Sequence, residues 1–506
     1  MRALGPGQTR LLSRRLPGAH DPVALFAALH GEGRARALFR RTGERALILV
    51  DSAIELEATA RAARLEAVSE NGRVLLEPFV AACSDYVEGR DGDAVRFAFP
   101  SGEPDSEAER LEAPTPLDLL RAMTGAIHAT DRDEPFALAA LGIIGFDHVD
   151  MLETLPARPD GRFPDLAFAL AETLVVVEPS GAARILSLAA GHEEPDEEHR
   201  LYHLASERLA KLAARIEQAR LPALADAPSI EASPDLDDAA FEAAVIRLKE
   251  NIAAGDIFQV VPSRAFAAPC SDPLAAFRRL VAADPSAYHF FVETRAGTLF
   301  GASPENAVEV RRDGDGLAVS VSPIAGTRPR GRTDDEDDRL EADLRLDAKE
   351  VAEHLMLVDL ARNDVARVSQ AGSRRVTSLM RVERFAKVMH IVSTVEGRLP
   401  EGRDAVHAIR TCLNVGTLSG APKLRAIELI REVETQPRGP YGGAVGYLTG
   451  RGEMDSAVVI RSALVEDGVA RVRAGAGVVA DSDPASEAAE TRAKASAILT
   501  ALGAAA

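Results

Sequence analysis

The sequence has no tryptophan, three cysteines and only 4% aromatic residues among its 506 positions. Cys83, Cys270 and Cys412 lie far apart and form no CxxC pair, which excludes a disulfide framework and a cysteine zinc site. The longest apolar run, from Phe136 to Phe146, is about half the length that a membrane-spanning helix needs. We therefore expect a protein of a reducing compartment, the cytoplasm, with no membrane partner.

The sequence also has fewer positively charged than negatively charged residues. The chain has 59 Lys and Arg against 78 Asp and Glu, and its net charge is −19. Such a field repels phosphate backbones, so nucleic acid is excluded as a partner. It also repels small anionic substrates, and a site for one needs a metal ion or local Arg and Lys.

Length and composition predict two domains, because one core rarely grows to this size. The segment 220–238, rich in Pro, Ala and Asp, is the better of two candidate boundaries and gives domains 1–235 and 236–506. Short strand-like runs, interrupted by helices, predict an α+β fold of mostly antiparallel sheets packed with helices. Two details are testable: GRVLLEPF (72–79) should be a strand or a buried apolar run, and one helix should begin after Thr333 and reach Val368.

Two pairs of glutamates occur at helical spacing. Glu350 and Glu353 form one pair, and Glu487 and Glu490 form the other, with Lys494 one turn further on. A solvated surface stripe is one explanation of such pairs. However, the segment around the first pair is largely apolar, and buried carboxylates need a cation or a proton. Two helices that each supply a carboxylate would suit Mg²⁺ better than zinc.

Four segments are rich in glycine, and none has the spacing of a phosphate-binding loop. They are either ordinary turns or places where backbone N–H groups approach an anion. His390 lies in an apolar run, VMHIVS, where it is either a hydrogen-bonded core histidine or a functional group. The four segments are PIAGTRPRG (323–331), NVGTLSGAPK (414–423), YGGAVGY (441–447) and RAGAGVV (473–479).

Together these motifs resemble the chorismate-utilising enzymes, and most closely the large subunits of anthranilate synthase. The likeness covers nearly the whole chain. Its most specific stretches are PIAGTRPRGR, KEVAEHLMLVDLARND, VMHIVS, GTLSGAPK, YGGAVGY, VIRSALVEDG, AGAGVVADS and SEAAETRAKA.

The resemblance implies a role for each matching residue. Glu353 and Glu490 would bind Mg²⁺, with Glu487 close by, while Glu350 would be the general acid and His390 would assist the elimination of pyruvate. The residues that would hold chorismate are Gly326, Thr327, Tyr441, Arg461, Gly475, Ala476, Gly477 and Lys494.

Two positions separate ammonia-using relatives from the others. Relatives that add water carry a lysine where this chain has Gln259, and relatives with a lysine nucleophile carry it where this chain has Ala325. Both residues favour direct use of ammonia and formation of anthranilate. The alternatives are a 2-amino-2-deoxyisochorismate or 4-amino-4-deoxychorismate synthase, and, more remotely, a catalytically silent effector-binding protein.

The resemblance also implies partners. Because no cysteine lies in a nucleophile turn, ammonia would come from a separate glutamine amidotransferase subunit, anthranilate synthase component II, in a hetero-oligomer. The N-terminal domain would be regulatory, with L-tryptophan as feedback effector. Its expected contacts are Asp51, Ser52, Ala287, Tyr288 and His289, of which Asp51, Ala287 and His289 depart from the family pattern.

Overall fold

The computed structural model describes residues 4–102, 106–131, 133–385 and 388–504. Within them the chain forms twelve α-helices and two short 3₁₀ helices, Ser84–Tyr86 and Phe146–Met151. The α-helices are α1 (Pro22–Gly31), α2 (Glu70–Ala82), α3 (Glu107–Glu112), α4 (Leu117–Gly125), α5 (Pro195–Gln218), α6 (Asp238–Ala254), α7 (Pro273–Ala283), α8 (Asp334–Leu346), α9 (Ala348–Val368), α10 (Ala405–Cys412), α11 (Lys423–Val433) and α12 (Pro484–Leu502). None of these helices is long and apolar enough to cross a membrane.

The strands in the described residues number 25. They are β1 (Gln8–Arg15), β2 (Ala37–Arg41), β3 (Ala46–Thr59), β4 (Ala62–Ala67), β5 (Val87–Asp91), β6 (Ala94–Ala98), β7 (His128–Ala129), β8 (Ala139–Ile144), β9 (Leu166–Val177), β10 (Ala183–Ala190), β11 (Ser233–Pro234), β12 (Gln259–Val260), β13 (Ser263–Pro269), β14 (Tyr288–Glu293), β15 (Thr298–Ser303), β16 (Asn306–Asp313), β17 (Gly316–Val321), β18 (Ile324–Pro329), β19 (Arg375–Arg384), β20 (Val388–Arg398), β21 (Gly420–Ala421), β22 (Ala444–Thr449), β23 (Met454–Val458), β24 (Ser462–Glu466) and β25 (Val469–Gly475).

Hydrogen bonds connect 23 of these strands into one network, and β12 pairs with β21 separately. Among the pairings between described strands, that of β1 with β7 is parallel and the others are antiparallel. The predicted α+β class with mostly antiparallel sheet is confirmed. Strands from the two parts of the chain pair directly, since β2 pairs with β14 and β8 pairs with β22.

The segment after Thr333 forms two helices, where the sequence predicted one. Asp347 ends α8 and begins α9, because its backbone is extended and its side chain accepts hydrogen bonds from the N–H groups of Lys349 and Glu350. At the start of α8 the Thr333 hydroxyl accepts a hydrogen bond from the N–H of Glu336, and the Glu336 carboxylate accepts one from the N–H of Arg332. Because of this break, Glu350 lies in the first turn of α9, where its position is fixed by the Asp347 cap.

Two other segments differ from their sequence patterns. GRVLLEPF is buried as expected but lies in α2, which begins after Ser69 because that side chain accepts a hydrogen bond from the N–H of Gly72. The strand-like run SAVVIRSALVE (456–466) is divided at Arg461, whose φ of 48° breaks the ladder between β23 and β24. The irregular residue at this break is one of the predicted site residues.

Candidate active site

A cavity of about 450 Å³ lies between α9, α12 and the strands β18, β20 and β25. Both helices pack against this part of the sheet, α9 on β18 and β20 and α12 on β25. We call it the catalytic pocket. It is lined by Gln259, Glu305, Ala325, Gly326, Thr327, Lys349, Glu350, Glu353, His390, Thr417, Tyr441, Arg461, Arg473, Gly475, Gly477, Glu487, Glu490 and Lys494, among others.

One side of the pocket is acidic. Glu350 and Glu353 come from α9, and Glu487 and Glu490 come from α12, so the two predicted pairs face the same space. Burial raises the pKa of Glu353, and the nearby carboxylates of Glu350 and Glu490 raise it further. Burial also raises the pKa of Glu487, whose Oε2 atom is buried and has no hydrogen-bond partner in the part of the chain that the structure describes. Converging carboxylates with an unsatisfied oxygen require a cation or protons.

The donor set fits a hard divalent cation. It consists of carboxylate oxygens, and no cysteine lines the pocket. In the described part of the chain, no group of three or more His, Cys, Asp or Glu is close enough to form a closed metal cage. Mg²⁺ needs no such cage, because it binds through one or two carboxylates and completes its shell with waters and substrate oxygens. Glu353 and Glu490, the ligands predicted from the resemblance, line the pocket from α9 and α12 respectively.

Basic residues line the same pocket. Arg461 is half-buried, and within the described residues its side chain forms no ion pair or hydrogen bond. Lys494 donates to the carbonyl of Gly475 at 3.0 Å and lies 2.7 Å from a carboxylate oxygen of Glu490. An arginine without a carboxylate partner is ready to bind an anionic ligand.

His390, on β20, lies opposite a β-bulge of β18 in the wall of the pocket. The pairing of β18 with β20 shifts register between Ala325 and Thr327, so the carbonyl of Gly326 lies 3.0 Å from His390 Nδ1. Since a carbonyl can only accept, Nδ1 donates this bond and Nε2 keeps its lone pair. Burial lowers the pKa of His390, which favours the neutral ring. A neutral imidazole with a free nitrogen can accept a proton.

The glycine segments form the floor of the pocket. A Cβ atom on Gly475 would lie 2.8 Å from the carbonyl oxygen of Pro262 and 2.9 Å from the hydroxyl of Tyr441, so only glycine fits there. A Cβ atom on Gly477 would lie 3.1 Å from Gln259 Nε2. Ala476 differs from the other predicted chorismate contacts, because its side chain is buried and does not line the pocket. Its N–H group donates to the carbonyl of Pro262.

Glu305 is a pocket residue that the sequence patterns did not identify. It follows Ser303 and Pro304 between β15 and β16, is 6% exposed, and accepts a hydrogen bond of 2.8 Å from the Thr417 hydroxyl. Burial raises the pKa of Glu305 to about 7. The available signal was a charged residue between two apolar strand-like runs. Lys349 and Arg473 also line the pocket and were not predicted.

The predicted effector residues lie elsewhere, on β3 and around the start of β14. Ser52 is buried and its hydroxyl has no hydrogen-bond partner among the described residues, whereas Tyr288 donates to Asp455 at 3.0 Å and His289 bonds to the carbonyl of Asp284. The register pairs Leu49 with Ala37, and Ala37 with Val292. Asp51 and Ser52 therefore lie near the end of β14 opposite to Ala287, Tyr288 and His289.

Comparison with known proteins agrees with this geometry. The family model described as chorismate binding enzyme matches residues 84–500. Anthranilate synthase component 1 of Vibrio cholerae is 42% identical over 97% of this chain and 96% of its own, and that of Escherichia coli is 43% identical over 95% and 94%.

Solved structures show the same relationship. Anthranilate synthase component I of Streptococcus pneumoniae has a TM-score of 0.71 at 31% identity, covering 90% of this chain and 92% of its own. The menaquinone-specific isochorismate synthase of Escherichia coli, with a TM-score of 0.67 at 19% identity over 98% and 94%, shares the fold. The chain therefore belongs to the chorismate binding enzyme family and, within it, to the relatives named anthranilate synthase component 1.

Proposed function

We propose that the protein is the large subunit of an anthranilate synthase, which converts chorismate and ammonia to anthranilate, pyruvate and water. The main support is one arrangement in the catalytic pocket. Four glutamates from α9 and α12 face the unpaired side chain of Arg461 across the same cavity. The glutamates would pair with a divalent cation, and Arg461 would pair with a carboxylate of a dicarboxylate substrate. This local pairing would allow an anion to bind despite the net charge of −19.

The reaction has two steps. Ammonia forms a bond to C2 of the cyclohexadiene while the C4 hydroxyl leaves with a proton from an acid. The C2 proton is then removed, and the enolpyruvyl group leaves as pyruvate, so that the ring becomes aromatic. Glu350, the predicted acid, lies in the pocket with a pKa raised mainly by burial. Glu305 is a second candidate for the same role, because a pKa of about 7 keeps much of it protonated at neutral pH.

The remaining pocket residues bind and orient the substrate. Arg461 and Lys494 would pair with carboxylate groups, and Thr327, Tyr441 and the backbone around Gly475 would fix the ring. His390, with Nε2 unprotonated, would assist the removal of the C2 proton. Bound between Glu353 and Glu490, Mg²⁺ would neutralise a substrate carboxylate and fix its position.

The nitrogen source is proposed to be a second subunit, a glutamine amidotransferase. The relatives' name, component 1, implies a partner component. The three cysteines of this chain do not suit glutamine hydrolysis, because all are buried and burial raises the pKa of Cys83 and Cys270 to about 11 and of Cys412 to about 12.

We assign residues 1–235 to a regulatory domain and 236–506 to a catalytic domain, with L-tryptophan as effector. The buried Ser52 hydroxyl, which has no partner in the described chain, supports a polar contact for that ligand. The shorter acid Asp51 and the exchanged residues Ala287 and His289 should weaken binding relative to the family pattern. Titrating chorismate turnover with tryptophan measures this directly.

Incubation with chorismate, Mg²⁺ and ammonium tests the reaction. Anthranilate fluorescence and stoichiometric pyruvate are expected. An amino acid product without pyruvate would instead identify an aminodeoxyisochorismate or aminodeoxychorismate synthase, and no turnover would reject the enzymatic assignment.

The metal assignment has its own test, Glu353→Gln. Loss of one charged ligand should abolish Mg²⁺-dependent turnover and the heat of Mg²⁺ binding in calorimetry with chorismate present. Asp359→Asn is the matched control, because it removes one charge from the exposed face of the same helix. Full activity and unchanged Mg²⁺ binding in Glu353→Gln would reject the assignment.

A further inference from the structure

The side chain of Arg264, near the start of β13, is the largest fully buried side chain in the described part of the chain. It is 1% exposed, and its Cζ atom lies 5.2 Å from the ring centroids of both Phe241 and Phe266. Burying a charged group is costly unless its N–H groups are hydrogen-bonded. The partners of the guanidinium therefore show what this residue is built to hold.

Arg264 connects β13 to the beginning of α6 and to α12. On one side, Nη1 donates to the carbonyl of Leu236 at 3.0 Å and Nη2 donates to Asp238 at 2.8 Å. On the other side, Nε donates to the Thr491 hydroxyl at 2.9 Å and Nη2 donates to the carbonyl of Ala488 at 3.0 Å. Because the guanidinium group is planar and rigid, these bonds fix α12 relative to β13 and α6.

The part of α12 that Arg264 contacts is the part that carries the pocket carboxylates. Ala488 comes directly after Glu487 in the chain, and both lie in α12. Thr491 comes directly after Glu490 in the same helix. Neighbouring residues of an α-helix point about 100° apart around its axis. The contacts with Arg264 therefore set the direction in which the two carboxylates point.

Apolar packing does little to hold this half of α12. Within 484–494 the buried residues are Glu487, Ala488 and Thr491, and none of them has a large apolar side chain. The large apolar side chains that the helix buries lie in its second half and pack in a cluster with α7; they are Ile498, Leu499 and Leu502. The half that bears the glutamates thus depends on Arg264 for its position.

From these observations we propose that Arg264 is a positioning residue for the divalent-metal site, holding α12 at the rotation at which Glu490 and Glu353 bind the same ion. The inference rests on the proposed function and its metal assignment. Arg264 is not among the residues that line the catalytic pocket, so it acts through α12. Residues that orient metal ligands typically contribute about tenfold to a hundredfold to metal affinity.

Arg264→Lys tests this role, because lysine keeps the charge but cannot reproduce the planar set of bonds. The matched control is Arg410→Lys, since Arg410 is also buried, at 6% exposure. Its partners are the carbonyls of Leu111 and Ala113, the Thr115 hydroxyl and Asp118. Both arginines thus bind two carbonyls, one threonine and one aspartate, but those of Arg410 lie in and between α3 and α4, outside the catalytic pocket.

Calorimetry of Mg²⁺ binding, with chorismate present and ammonium absent, measures the dissociation constant without turnover. Arg264→Lys should raise this constant roughly tenfold. Arg410→Lys should leave it near the wild-type value, although both substitutions should lower the thermal midpoint. In turnover assays Arg264→Lys should raise the KM for Mg²⁺ and change kcat at saturating Mg²⁺ much less. An unchanged dissociation constant in Arg264→Lys, or an equal rise in Arg410→Lys, would overturn the inference.

Thr491→Val repeats the test if Arg264→Lys does not fold. It keeps the shape of the side chain but removes the hydroxyl that accepts from Arg264, so the dissociation constant of Mg²⁺ should rise by a smaller factor. An unchanged constant in this variant would also overturn the role of Arg264. Absence of Mg²⁺ binding and of anthranilate formation in the wild-type protein would instead reject the proposed function, and this inference with it.

Discussion

Two carboxylic acids in the pocket differ in their surroundings. Glu350 is half-buried in the first turn of α9, and an Arg328 nitrogen lies 3.6 Å from its carboxylate. Glu305 is almost fully buried, its nearest polar partner is the neutral Thr417 hydroxyl, and Lys494 is the cation that opposes its raised pKa. Burial and the Asp347 carboxylate raise the pKa of Glu350 against the effect of Arg328, whereas burial raises the pKa of Glu305 to about 7. Loss of a hydroxide-like leaving group needs the acid form.

Replacing Glu305 by glutamine should therefore lower kcat by roughly a hundredfold to ten-thousandfold, the usual contribution of a general acid. In the wild-type protein the acid form of Glu305 is lost as pH rises through about 7, so kcat/KM at constant free ammonia should fall above that pH. Glu305→Gln should lack this decline, and Glu350→Gln should retain it. If Glu350→Gln flattens the profile and Glu305→Gln does not, Glu350 is the acid.

His390 is proposed to act in the second step. Its Nδ1 donates to the Gly326 carbonyl, which leaves Nε2 as the basic nitrogen. His390→Ala should spare amination more than elimination, so the aminated intermediate should accumulate relative to anthranilate and pyruvate. Chromatography of quenched reactions measures this ratio. Equal losses in both steps would contradict the assignment.

At the scale of elements, the bulge in β18 connects three parts of the site. Gly326 has a φ of 69°, and a Cβ atom there would lie 3.2 Å from a Glu350 carboxylate oxygen and 3.1 Å from Leu344. Its carbonyl meanwhile fixes His390. Glycine at this position thus allows α8, α9 and β20 to meet at one point.

Gly326→Ala should lower kcat by on the order of a hundredfold, because displacement of Glu350 and His390 misaligns the reacting groups. Its thermal midpoint should fall only modestly. Gly402→Ala is the matched control, since Gly402 has a similar φ of 86° with nothing within 4 Å of a new Cβ atom. Steady-state kinetics and thermal unfolding of both variants separate steric displacement from backbone strain; equal kinetic effects would refute this explanation.

The elements that local signals define were predictable from sequence. Apolar runs bounded by turn residues mark β14, β16 and β17 in the sequence, and helical spacing placed each glutamate pair on one helix face. The break at Asp347 was not predictable, because an aspartate inside a polar helical pattern is equally consistent with a surface residue and with a helix cap. Glu305 was also missed, since its burial results from packing between segments distant in sequence.

For the whole molecule, charge distribution matters more than its sum. The chain has a net charge of −19, yet the catalytic pocket contains four basic side chains, Lys349, Arg461, Arg473 and Lys494, beside its five glutamates. The need for local Arg and Lys was predictable from composition. The position of Arg461 was not predictable from composition, because it depends on the strand break between β23 and β24.

The sheet also limits how independently the proposed domains can behave. The segment 219–229 lies outside the helices and strands and is mostly exposed, which makes it a site for limited proteolysis. Cleavage there should leave the two fragments together, because β2 pairs with β14, β8 pairs with β22, and one hydrophobic cluster contains residues from both parts. Size-exclusion chromatography of the nicked protein should give one peak at the intact size with retained turnover, and the fragments should separate only in denaturing urea. Two smaller peaks under native conditions would show that these pairings contribute little to holding the halves together.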